Sequence, residues 1–173
     1  GAALFIRRTD YVNVGGLDGR FFAHMEEIDL CWRLRSRNRE IVCIPQSIVY
    51  HVGGATLKKE NPHKTFLNFR NNLVMLYKNL PAEELNKVMR IRACLDYVAA
   101  FVFLLKGDWD NACAVMRARK EYKQIRPSFS SSREENMRKK RLDLIPERTK
   151  NSILWQFYGR GCKQFSQLSD LKG

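Results

Sequence analysis

Glu26, Glu27 and Asp29 stand together where an amphipathic segment begins, and carboxylates so grouped can take up a proton. They follow Val14-Gly15-Gly16-Leu17-Asp18-Gly19-Arg20-Phe21-Phe22, a double-glycine bend with an aromatic pair behind it. Adjacent glycines let a backbone turn tightly or approach a bound molecule closely. His51 is a further candidate: it ends the run Ser47-Ile48-Val49-Tyr50 and is followed by Val52-Gly53-Gly54. Both features also have plainer readings. Acids in a first helical turn answer the free N–H groups and the dipole there, and a histidine can cap a strand end.

The acids are positioned by a helix whose apolar spacing runs through Ile28, Cys31 and Trp32, with Leu30 and Leu34 beside them. Asp29 and Arg33 are four residues apart and can meet on one face, which accounts for Asp29 structurally. Glu26 and Glu27 remain. Neighbouring helical residues point about 100° apart, so one can face a cleft while the other makes local contacts. Residues 40–45 and 47–51 read as short buried strands. Helical spacing follows over 63–80, from Pro81 to about Lys106, and over 108–124. Residues 128–132 read as a linker, and 133–141 as a charged helix or a disordered run. Arg70-Asn71-Asn72, inside a helix, reads as structural. His24 and His63 have no framing motif and read as surface or loop residues.

Asp108-Trp109-Asp110 imitates a metal-binding Asp-x-Asp, but it lies between two helical runs, after Lys106-Gly107. Gly107 as a helix stop and Asp108 as the next N-cap explain it. The five cysteines are scattered and odd in number, which argues against a disulfide framework or zinc site and for a reducing cytoplasm. The net charge is +13, and from Arg117 to Lys163 there are 14 Lys+Arg against 5 Asp+Glu. Basic residues interleaved with Trp155, Phe157 and Tyr158 suit anionic lipid better than nucleic acid, for which no binding motif is present; a merely solvated basic face is the alternative. The apolar stretch 93–105 is shorter than the roughly 20 residues a membrane span needs.

The run from Gly15 to Arg33 resembles the acceptor-side signature of the family 2 glycosyltransferases, bacterial inverting enzymes in which it reads G-G-F-D-x-x-F-F-x-x-x-E-D-x-D-L-x-x-R. The resemblance extends to rhamnosyltransferase-like members. It implies an α/β chain: a partial GT-A fold lacking its N-terminal nucleotide-binding half, then a mainly helical extension. Residues 1–80 would be the acceptor half, 81–127 the extension, and 128–173 a basic membrane-proximal tail. Glu27 would be the general base, in place of the Asp more usual there, with Glu26 and Asp29 supporting it. Gly15, Gly16, Asp18 and Arg33 would shape the acceptor site, and His51 would help hold a divalent Mg or Mn. The implied activity transfers a sugar from a nucleotide-diphosphate donor to a saccharide or lipid-linked acceptor in cell-surface polysaccharide synthesis. The implied place is the cytoplasmic face of the cell membrane. By itself the chain is expected to be inactive. The rival expectation is a non-enzymatic, basic membrane-surface or interaction module.

Overall fold

A computed structural model describes residues 3–50, 61–142, 145–148, 152–164 and 167. Its helices are α1 (Arg8–Asn13), α2 (Glu26–Ser36), α3 (Pro62–Asn79), α4 (Ala82–Leu105), α5 (Trp109–Ile125) and α6 (Ser130–Lys139). Short 3₁₀ turns at Gly19–Phe21 and Arg126–Phe129 join them, and Trp155–Gly159 forms a π turn. Contacts divide the chain into two units, Gly1–Arg141 and Leu142–Gly173.

The expected α/β fold is not found: among the described residues there is no strand, and the architecture is all-helical. Residues 40–44 and 48–50 have no regular structure, and a turn at Pro45 closes with Ser47 N–H donating to Ile44 O at 3.0 Å. Their β-branched side chains lie in solvent, Val42 at 68% and Ile48 at 77% exposure. A strand pattern reports only the capacity to pair. Backbone groups need a ladder partner to make a sheet, and no described segment provides one.

The helical readings have clear local causes. Asn61 accepts from His63 N–H at 2.8 Å with Pro62 in the first turn, so α3 starts where the Asn-Pro break stood. Gly107 takes φ +76° at the end of α4, and Asp108 accepts from Asn111 N–H at 3.1 Å to start α5. Packing follows from residue size. α5 presents Ala112, Ala114 and Ala118, all buried, so α3 and α4 can approach it closely. The main core joins Phe21, Leu73, Val74, Met75, Tyr122 and Phe129. A smaller cluster of Val14, Leu30 and Leu34 seats α2 on the glycine bend.

Residues 128–132, read as a linker, instead close the 3₁₀ turn and open α6. α6 is tied down by Arg133, which donates to the carbonyls of Tyr77 and, at 2.7 Å, Leu80. The carbonyls at the C-terminal end of α3 need such donors. In the second unit Ile153, Trp155 and Tyr158 are exposed, while Cys162 N–H donates to Gln156 O at 2.9 Å. All five cysteines are free. No helix among the described residues is long and apolar enough to cross a membrane.

Candidate active site

The glycine bend requires its glycines. Gly15 and Gly16 hold φ of +86° and +63°, and a Cβ on Gly16 would lie 3.0 Å from the Tyr11 ring. Arg33 closes the bend from behind, donating to Gly16 O at 2.7 Å, to Val14 O, and to Asp29 Oδ2 at 2.9 Å. The Asp29–Arg33 pair therefore meets across one helical turn. Arg33, expected at the substrate, is buried and occupied in holding the bend.

Asp29 is 0% exposed and lies within a buried ionic cluster. Lys78, from α3, places its ammonium 2.9 Å from Asp29 Oδ2 and 2.8 Å from Asp18 Oδ2. Asn79 donates to Asp29 Oδ1 at 2.8 Å, and Asn136 of α6 donates to Asn79 Oδ1 at 3.2 Å. Arg20 completes the cluster with a 2.7 Å pair to Asp18 and stacks over the Phe129 ring, 3.9 Å from its centroid. Burial pushes the Asp18 carboxyl up, but hydrogen bonds from Arg20 and Lys78 outweigh it and hold the group well below the usual carboxylate range. Asp18 and Asp29 thus act through the frame.

Between the bend and α2 the backbone is strained. Phe22, His24 and Met25 all have positive φ, at 66°, 67° and 74°. Each such residue costs of order 1–3 kcal/mol and persists only when its surroundings fix it. Asn71 and Arg70 fix it. The Asn71 amide donates to the carbonyls of Phe21, Ala23 and His24 at 2.7–2.9 Å, and Arg70 donates to Phe21 O at 3.1 Å. The Arg-Asn pair is structural, as its mid-helix place indicates. α2 then begins at Glu26, with Met25 as an N-cap whose side chain caps nothing.

Glu26 and Glu27 are both half-buried at this helix start. Glu26 Oε2 and His24 Nε2 are buried without a hydrogen-bond partner among the described residues. Burial pushes the Cys31 thiol up, and the Glu27 carboxylate one turn before it adds to the shift. His63, read as a surface residue, stacks on Phe66 with centroids 6.0 Å apart and meets the exposed Phe22 edge-on at 6.4 Å. A cavity of about 430 Å³ adjoins these rings, lined by His63, Phe66, Arg117, Lys120, Glu121 and Gln124.

His51, the expected metal contact, lies outside the described residues. Among those described, no group of three His, Cys, Asp or Glu side chains could hold an ion. Asp108 and Asp110 are spent as a cap and a first-turn acid.

Lys78 and Asn79 were not among the candidates. Their signal was present in the pattern: a cation and an amide on α3 beside Leu73, Val74 and Met75, where a soluble helix would place apolar residues. What they meet, 49 and 60 residues away in sequence, was not legible. Compared with models of protein families, with curated proteins and with solved structures, the chain gives no match.

Proposed function

We propose that this chain carries the acceptor-activating side of an inverting glycosyl-transfer site, with Glu27 as general base. The acceptor is a saccharide hydroxyl, free or lipid-linked, and the donor a nucleotide-diphosphate sugar used in cell-surface polysaccharide synthesis. Glu27 takes the hydroxyl proton while the acceptor oxygen bonds to the anomeric carbon. The bond from that carbon to the diphosphate oxygen breaks, and its electron pair leaves with the diphosphate. A positioned base of this kind contributes about 10²–10⁴-fold to rate.

One observation carries the reading: three non-glycine residues at positive φ lead into Glu26-Glu27 and are pinned by a neighbouring helix. A helix start needs no such strain, since an ordinary Ser or Asp cap serves. Strain held by a rigid support suits a site where a side chain must be aimed. The unpaired Glu26 oxygen and His24 nitrogen, and the exposed aromatic pair of Phe22 and His63, suit a polyhydroxylated ligand. Asp29 and Arg33 hold the frame and do not touch substrate.

A lipid-linked acceptor would place the reaction at the inner membrane face. The outer side of α4 supports this, with Phe101 at 58% and Leu105 at 72% exposure. So do the exposed Trp155 and Tyr158 of the second unit. Apolar surface of this kind on a strongly basic chain suits interfacial attachment.

The test is Glu27→Gln in the full natural protein, assayed for sugar transfer. A fall in kcat of about 10²–10⁴-fold with unchanged thermal unfolding is expected. Undiminished transfer would remove Glu27 from the role and favour the reading of these acids as helix caps.

A further inference from the structure

The far end of α2 carries a second constellation that the transferase reading does not use. Arg37 caps α2, ten residues beyond Glu27 and so about 15 Å along the helix. A cavity of about 500 Å³ opens there, floored by Asp10, Asn13 and Val14. Its remaining lining is entirely cationic: Arg37, Arg39, Arg138, Lys139, Lys140 and Arg141. The acids nearby are few and engaged. Asp10 pairs with Arg39 at 2.9 Å, and Glu135 pairs with Lys139 at 2.6 Å.

Arg37 is the informative residue. Its Nη1 donates to Asn13 O at 2.7 Å, which fixes the guanidinium against α1. Its Nε and Nη2 are buried with no hydrogen-bond partner among the described residues. A guanidinium offers five donors in a rigid fork matched to phosphate and carboxylate oxygens. Leaving two of them dry and unpaired is costly. Burial also holds this guanidinium below its ordinary value, with Glu135 opposing the shift and Arg33 adding to it. An anion seated in the cavity would neutralise the surrounding charge and draw this guanidinium towards it.

The second wall is fixed by backbone contact. Arg141 N–H donates to Ser36 O at 2.7 Å, which draws the basic end of α6 across to the end of α2. That contact places Arg138 and Arg141, both exposed, opposite Arg37. A surface basic run merely solvated by water has no need of such a strap.

We infer that the recess between the ends of α2 and α6 is a binding site for a multiply charged phosphate group, of the pyrophosphate class. The volume exceeds what a single small ion fills and falls within the range of small-molecule sites. The charge calls for more than one negative unit. A carboxylate carries one negative charge and would leave two of Arg37, Arg138 and Arg141 unanswered. The group could be free in solution or carried on a lipid, and the recess would read the same oxygens in either case. The site stands apart from Glu27 and does not depend on the transferase reading.

The test is calorimetric titration of the full chain with pyrophosphate, against inorganic phosphate and sulfate. Pyrophosphate should bind tightest, and its affinity should fall steeply with added salt. Arg37→Gln should weaken binding by about tenfold or more, as loss of charge-assisted hydrogen bonds does. Because Arg37 also holds Asn13, the double variant Arg138→Gln/Arg141→Gln at exposed positions should give a comparable loss with unfolding unchanged. Vesicles containing phosphatidic acid separate the sources. Sedimentation with them, reversed by pyrophosphate, identifies a lipid-borne phosphate, and no sedimentation beside tight pyrophosphate binding identifies a free one. Absence of pyrophosphate binding at millimolar concentration overturns the inference. So does equal affinity in wild type and both variants, or binding confined to nucleic acid.

Discussion

Residues 14–36 and residues 39–50 look alike as sequence, each mixing glycine or proline turns with apolar runs, yet they end in opposite states. In the first, the polar groups that frame the bend have partners: Lys78 and Asn79 reach Asp29 and Asn71 reaches three loop carbonyls from α3, while Arg33 closes the bend from α2. In the second, Ile48 and Tyr50 stand 77% and 96% exposed, and no described segment covers them. The difference lies outside both stretches. α3 brings four polar side chains to the first and none to the second. Local pattern proposes a conformation; long-range partners decide whether it is held.

The largest effect should come from cutting that supply. Lys78→Met leaves Asp18 and Asp29 in a buried cluster with one cation fewer. Removing one member of a buried ion pair costs about 3–5 kcal/mol, which a urea unfolding midpoint will report. Asp29→Asn in the same background should return part of the loss, because the orphaned charge goes with it. Lys139→Ala, at an exposed i,i+4 pair, should cost only about 0.3–0.5 kcal/mol. Equal effects at Lys78 and Lys139 would show that the cluster does not hold the bend.

The parts of this contrast that were legible in the sequence are those set within one or two helical turns. The 3.6-residue spacing of Phe66, Phe69, Leu73 and Leu76 marks α3, and Gly107 followed by Asp108 marks the junction of α4 and α5. The Asp29–Arg33 pair follows from a four-residue separation. The resemblance implied an α/β fold, and residues 40–45 and 47–51 carry strand-forming side chains that agreed with it. Nothing in those residues records whether a neighbouring strand exists. Likewise the charge of Arg138–Arg141 was visible, but the contact of Arg141 with Ser36, which turns a basic run into the wall of a cavity, joins residues 105 apart.

Acid should act on the first region in a defined sense. The Asp18 carboxyl is held below its ordinary value in the folded chain, so its contribution to stability is complete above the usual carboxylate range, about pH 4. It is lost progressively as pH falls from there toward the depressed folded value, where the folded state also takes up the proton. Urea midpoints measured downward from pH 5 should therefore fall more steeply in wild type than in Asp18→Asn. Parallel curves would assign the acid sensitivity to other groups.

The smallest effect is expected in residues 39–50, and its smallness is informative. Ile48→Thr removes apolar surface that is already in water, so stability should move by no more than about 0.5 kcal/mol. Leu30→Ala, at a site with 0% exposure under the glycine bend, should cost about 2–5 kcal/mol by comparison. Leu30→Ala deletes three side-chain carbons and Ile48→Thr exchanges an ethyl group for a hydroxyl, so the contrast reports chiefly whether each site is covered. A loss of more than 1 kcal/mol from Ile48→Thr would mean that the segment is covered in solution, and the two regions would then differ in partner and not in kind.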